Sequence, residues 1–168
     1  KSTTRILIDL QACQTEDSAF RGVGRYSLSL FKAIMKKAGV RDIYGMLSNQ
    51  HKIYPELRGS LSDKIIYADK IQKLDELNSI VGERSDEIVN ALITKFAASL
   101  SPDIIHVSHI FEGFSKSVSI PSLPTKGGGQ ILSATLYDLI PLRYPEVYFK
   151  NKEFEKWYLS RLKIYSQA

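Results

Sequence analysis

Three short stretches hold side chains able to do chemistry. "GVGRYS" (22–27) places two glycines ahead of a helical pattern. A helix that opens on small residues presents free N–H groups to an anion, and Arg25 adds a cation beside them. Gly22, Val23, Gly24 and Arg25 are therefore candidate anion ligands, against the plainer reading of a turn that caps a helix. "HVSHIFEGF" (106–114) carries two histidines and a carboxylate. His106 falls within an apolar run and reads as a satisfied core histidine. His109 and Glu112 come at the end of that run and after it, where they could supply a base, a hydrogen-bonding pair or substrate contacts. "YDLIPLRYPEVY" (137–148) opens on Tyr137 and Asp138. A carboxylate there could accept from a hydroxyl or capture a proton; a turn or cap aspartate is the simpler alternative. Pro141 and Pro145 fix φ and stiffen the stretch. With Arg143, Tyr144, Glu146 and Tyr148 they make a rigid aromatic and polar surface, suited to sugars and equally to packing.

Several chemistries are set aside. A dinucleotide fingerprint needs its first glycine right after a strand, a third glycine, and an acid at the end of the second strand. Here Gly22 stands about a dozen residues past Leu10, Ser27 holds the third glycine's place, and Ser48 and Asn49 stand where the acid belongs. A nucleotide-dependent oxidoreductase is thus the weaker alternative. There is no G-x-S-x-G elbow and no Walker loop. "KGGGQ" (126–130) lacks the Lys-Ser/Thr ending and precedes its strand, so it reads as a flexible loop. No His lies near Cys13 in sequence, which favours a structural thiol. No third ligand stands beside His109 and Glu112, so no metal site is expected.

Hydrophobic period defines the elements that must position these residues. "RILIDL" (5–10) reads as a buried first strand and 11–24 as a polar loop. A helix is expected from about residue 25 to residue 38, with Tyr26, Leu30, Phe31, Ile34 and Met35 as its apolar stripe. Lys36 and Lys37 suit its carboxyl end, and Gly39 suits a stop. "DIYGML" and "KIIYA" read as strands two and three, with 71–81 weakly helical. A second helix opens at Ser85, buries Ile88, Val89, Leu92, Ile93, Phe96 and Ala97, and stops at "SPD". "DIIHVS" and "ILSATLY" read as strands, "DLIPLRYPEVYF" as a loop. A last helix starts near Asn151 and buries Phe154, Trp157, Tyr158, Leu162 and Tyr165. This alternation predicts an α/β fold: a Rossmann-like, mostly parallel sheet with helices on both faces. Ligands in such sheets bind beyond the carboxyl ends of the strands, which is where the three stretches fall.

The 168 residues suit a single domain over 1–168. A net charge of +5 favours anionic partners without identifying one. No dense basic stripe or nucleic-acid motif is present, so nucleic acid is not an expected partner. A single cysteine excludes an intrachain disulfide and fits a reducing compartment. No apolar run reaches the length of a membrane span. Both ends read as cut.

"RILIDLQACQ…FRGVGRYSLSLFKAI", "DIIHVSHIFEGF" and "ATLYDLIPLRYPEVYF…W…RL" together resemble the N-terminal domain of GT-B-fold glycosyltransferases of group 1, also called family 4. Within that group the blocks look closest to bacterial mannosyltransferase-like enzymes of surface polysaccharide synthesis. The resemblance implies a truncated acceptor-side domain facing its own C-terminal, donor-binding domain across a cleft. It also implies retaining transfer from a nucleotide-sugar donor, with GDP-mannose a candidate, to a glycan or polyprenyl-linked acceptor, without a metal. The location implied is cytoplasmic, with peripheral contact at the inner face of the membrane a candidate. Gly22, Val23, Gly24 and Arg25 map to the loop that approaches the donor diphosphate, expected to be mobile here. His109, Glu112, Tyr137 and Arg143 map to the acceptor side. Many relatives carry a catalytic His where this chain has Tyr137; its role is not transferred, and Asp138 is the catalytic candidate. "EGF" resembles the start of the family's Glu…Glu donor motif, but Ile120 stands where the second Glu, eight residues on, would fall. The alternative is a non-catalytic glycan- or partner-binding module. The isolated chain is expected to be inactive as a transferase.

Overall fold

The computed structural model describes residues 4–37, 42–48, 51–58, 63–68, 85–114, 118, 120–122 and 129–166. Five strands form one sheet: β1 (Arg5–Asp9), β2 (Asp42–Leu47), β3 (Ile65–Tyr67), β4 (Ile104–Val107) and β5 (Ile131–Ala134). Their order is β3-β2-β1-β4-β5, and every pairing is parallel. The expected Rossmann-like sheet is present, wholly parallel among the described strands. Central β1 sets Leu7 opposite Tyr44 on one side and Ile105 on the other. Successive side chains point to opposite faces, so Leu7 joins one core and Ile8 the other.

Helices α1 (Gly22–Lys36) and α2 (Ser85–Ser99) cover opposite faces. Phe31 of α1 packs with Ile8, Leu10, Ile43, Leu47 and Ile65. Val89, Ile93 and Ala97 of α2 pack with Leu7, Met46, Ile105 and Val107, joined by Tyr165 from the last helix. That last helix, α5 (Lys152–Tyr165), follows two four-residue turns, α3 (Ile140–Arg143) and α4 (Pro145–Tyr148). Asn151 caps α5: its Oδ1 accepts from the N–H groups of Glu153 at 2.9 Å and Phe154 at 3.1 Å.

Several expectations need correction. α1 begins at Gly22, so the two glycines are its first turn and no mobile loop. The preceding stretch is no plain polar loop either: Gln11–Cys13 is a buried 3-10 turn. The α1 face toward the sheet centres on Gly24, Ser27 and Phe31, which turns Tyr26 outward, nearly opposite on the helix. On α2, Leu92 flanks the stripe of Val89, Ile93 and Ala97 and stays exposed. β5 ends at Ala134, which leaves Tyr137 and Asp138 in a loop, and the stretch read as one loop holds α3 and α4. Residues 71–81, Gly39 and most of 126–130 lie outside the described residues.

The two glycines of α1 serve different ends. A Cβ on Gly24 would lie 2.5 Å from the Ser18 carbonyl oxygen and 2.7 Å from Ala19 Cα. Backbone cannot yield cheaply, so α1 can lie this close to the 15–20 turn only with glycine there. A Cβ on Gly22 would meet nothing within 4 Å. Gly24→Ala should therefore cost about 1–3 kcal/mol, as overpacking does. Gly22→Ala should change stability by no more than about 0.5 kcal/mol, or raise it slightly through helix propensity. Urea midpoints of the two variants measure the difference.

Candidate functional site at the carboxyl ends of the strands

Beyond the carboxyl ends of β1 and β4 the chain assembles a polar cluster from segments far apart in sequence. His109 follows β4, and its imidazole Nε2 lies 3.8 Å from Glu112 Oε1. The other Glu112 oxygen accepts from the Thr15 hydroxyl at 2.8 Å. Glu112 is almost wholly buried, and burial foremost pushes its carboxyl above the ordinary value. His109 is pushed down to about 4 by burial, against an opposing pull from nearby Asp138. Its ring meets the Tyr137 ring edge-on at 5.2 Å, and Tyr137 meets Tyr26 of α1 at 5.7 Å. Burial also raises the Tyr137 phenol, which is turned toward Ser27.

The structure thus brings His109, Glu112, Tyr137 and Asp138 together. Asp138 is exposed, its Oδ1 accepts from the Ile140 N–H at 3.2 Å, and its carbonyl takes the Tyr158 hydroxyl at 3.5 Å. Gly22 and Val23 sit at the α1 N-terminus, where helix geometry offers their N–H groups no intrahelical carbonyl. The Gly24 N–H differs: it donates to the Ser18 carbonyl at 3.1 Å. Arg25 lines a separate cleft of about 190 Å³ with Phe20, Tyr54 and Glu56. Arg143 lies on α3 with its guanidinium 5.8 Å from the centre of the Tyr144 ring, and no contact joins it to His109 or Glu112 among the described residues. His106 is satisfied as expected, with Nδ1 on Ser133 Oγ at 2.9 Å and Nε2 on Thr135 Oγ1 at 3.2 Å.

Sequence reasoning missed the floor of the cluster. Asp9 ends β1 wholly buried, and its Oδ1 accepts from Gln11 Nε2 at 2.9 Å. Burial pushes its carboxyl up to about 7, with Glu112 adding to the rise and the Gln11 hydrogen bonds opposing it. Arg161 of α5 is buried as well and donates to the carbonyls of Val118 at 2.8 Å and Glu112 at 3.4 Å. An acid inside "RILIDL" was the available signal for Asp9. Arg161 occupies the place of an apolar residue on a helical stripe, which spacing alone does not distinguish from a solvent position.

Among the described residues, no three His, Cys, Asp or Glu side chains are grouped to hold a metal. Nor, among them, is any helix long and apolar enough to cross a membrane.

Two predictions follow from these groups. Asp9, near 7 when folded and 3.8 in its ordinary state, binds its proton more tightly in the native chain. Its stabilising contribution is full below about pH 4 and is lost as pH rises through about 7. Asp9→Asn should shrink the loss of stability between about pH 5 and about pH 8 by about 1–3 kcal/mol, read by urea unfolding at both values. The Cys13 thiol is buried and pushed up to about 12, chiefly by desolvation. It should react with iodoacetamide at least about a hundredfold more slowly in the native chain than in denaturant, because the thiolate is the nucleophile.

The chain is 28% identical over 169 aligned residues to an Escherichia coli protein described as a serotype-specific mannosyltransferase WbdA. That alignment takes in 97% of this chain and 20% of the relative. A second Escherichia coli protein of the same description is 32% identical over 71 residues, which is 42% of this chain and 9% of that relative. The chain therefore spans a fifth or less of the length of these curated relatives. No protein-family profile and no solved structure matches it.

Proposed function

We propose that the chain is the acceptor-side, N-terminal domain of a glycosyltransferase that moves a mannosyl group from a nucleotide sugar to a growing surface glycan. The observation that carries this reading is the likeness to a described mannosyltransferase over 97% of the chain. A parallel sheet with a polar cluster at its carboxyl ends is consistent with it, since open α/β sheets bind ligands there.

In this reading a second domain of the same protein holds most of the donor, with GDP-mannose the candidate. The N–H groups of Gly22 and Val23 approach the diphosphate from across a cleft. As the leaving group departs, charge grows on its phosphate oxygens, and preorganised N–H donors stabilise it. Arg25 assists as a cation. Asp138 orients or polarises the reacting hydroxyl. His109, Glu112, Tyr137 and Arg143 form the acceptor wall, with Arg143 at its margin. Transfer retains the anomeric configuration and uses no metal. The acceptor is a glycan or a polyprenyl-linked glycan at the inner face of the cytoplasmic membrane. This domain alone would show little or no turnover, because the donor's main site is elsewhere.

Asp138 gives the direct test. In the protein expressed from its full reading frame, Asp138→Ala should lower mannosyl turnover by at least about a hundredfold, the range typical of a lost acid–base group. Asp138→Asn retains an oxygen to accept the Ile140 N–H, so it separates the carboxylate's charge from its turn-forming role. Turnover unchanged in both variants would remove Asp138 from the site. No mannosyl transfer by the parent protein would overturn the reading itself.

A further inference from the structure

Among the described residues, His109 and Glu112 each leave one buried atom without a partner: Glu112 Oε1 takes no hydrogen bond, and neither does His109 Nδ1. Buried polar atoms in that state are costly, and each needs a physical account. The gap between Oε1 and Nε2, 3.8 Å, is too long for a hydrogen bond. A side-chain shift of about 1 Å would close it. If the carboxyl holds a proton on Oε1, that shift satisfies Oε1 and Nε2 together. We propose that Glu112 is a positioning residue whose protonated carboxyl donates a hydrogen bond to Nε2 of His109 and so fixes the ring as its neutral Nδ1–H tautomer.

Every element packed around the pair bears on this. Glu112 opposes ionisation of Asp9 from β1, and Asp17 from the 15–20 turn opposes ionisation of Glu112. Thr15 and Ser18 hydrogen bonds and Arg161 of α5 favour it, but burial is the largest influence. Arg161 also acts on Asp9, so the same guanidinium favours the ionised form of both carboxyls. On the histidine side, Asp138 favours the imidazolium, and burial opposes it more strongly. An imidazolium–carboxylate pair would bury two charges, a cost that attraction offsets only with further hydrogen bonds. Among the described residues, Oε1 and Nδ1 have none. A neutral ring whose Nε2 is occupied must carry its proton on Nδ1. That N–H is then a neutral donor, able to take a hydroxyl oxygen as its acceptor. That such a hydroxyl belongs to a sugar acceptor rests on the glycosyltransferase reading; the proton assignment does not.

The test reads the imidazole nitrogens directly, by long-range proton–nitrogen NMR on the uniformly nitrogen-labelled chain near pH 7. The His109 signals are assigned by their loss in His109→Asn. The parent chain should show a protonated Nδ1 and an unprotonated Nε2. Glu112→Gln, whose amide also donates, should keep that pattern. Glu112→Met, which cannot donate, should shift the ring toward the Nε2–H form. Backbone amide spectra establish that each variant is folded. If the methionine variant is unfolded, the parent and glutamine spectra decide alone. An imidazolium near neutral pH, an Nε2–H ring in the parent, a switched tautomer in Glu112→Gln or an unchanged one in folded Glu112→Met would each overturn the proposal. None of these readouts depends on transferase activity, so the two readings fail separately.

Discussion

Two carboxyls and a guanidinium share the interior of this protein. Asp9 at the end of β1 and Glu112 beyond β4 are both out of water, Glu112 raises the proton affinity of Asp9, and Arg161 of α5 opposes the rise in each. These groups come from the first strand, the segment after the fourth strand and the last helix, so their desolvation is settled only when β1, β4 and α5 are in place. Arg161 adds a mechanical tie through its hydrogen bonds to the carbonyls of Glu112 and Val118. A buried carboxyl that loses such a cation holds its proton more tightly, because burial then acts with less opposition. The polar cluster and the placement of α5 are thus one problem with one solution.

That arrangement gives the candidate site its character. On the floor burial suppresses charge, at the margin Asp138 is exposed, and the wall between is built from rings: Tyr26, Tyr137, His109 and Phe111 stand edge to face from α1 to the segment after β4. Such a wall recognises by hydrogen bonds and shape more than by net charge. The basic excess of the whole chain, +5, is therefore not concentrated in this cluster. Arg25 and Arg143 lie outside it, one beside a cleft with Phe20 and Tyr54, the other beside Tyr144.

What could be read from sequence follows from what is local. Apolar runs such as "IIHV" and the four-residue spacing of Val89, Ile93 and Ala97 are local, and they marked the strands and α2 correctly. The Rossmann-like class followed from their alternation. Gly24 was legible as a glycine but not as a contact. Its reason is the Ser18 carbonyl six residues earlier, brought against it by the turn over 15–20. Tyr26 was misplaced for the same cause: moving the helix start to Gly22 adds a turn, and the sheet-facing stripe is then set by Gly24 and Ser27 in place of bulky side chains. His109, Glu112, Tyr137 and Asp138 were found because each follows a strand, and topology alone gathers such positions at one end. Asp9 and Arg161 were not, since a charge paired inside a core has the same letter as one in solvent.

The strand order has a consequence in time. β1 is complete only when β4 lies against it, and the Arg5 N–H finds the Asp103 carboxylate 98 residues further along the chain. At a synthesis rate of about 5–20 residues per second, that partner arrives roughly 5–20 s after β1 leaves the ribosome. During that interval β2 can satisfy one edge of β1 while the other remains open, with Ile6, Leu7 and Ile8 beside it. The nascent chain therefore carries an unpaired apolar strand edge while some 98 further residues are made, at the place where the later cluster is to be built.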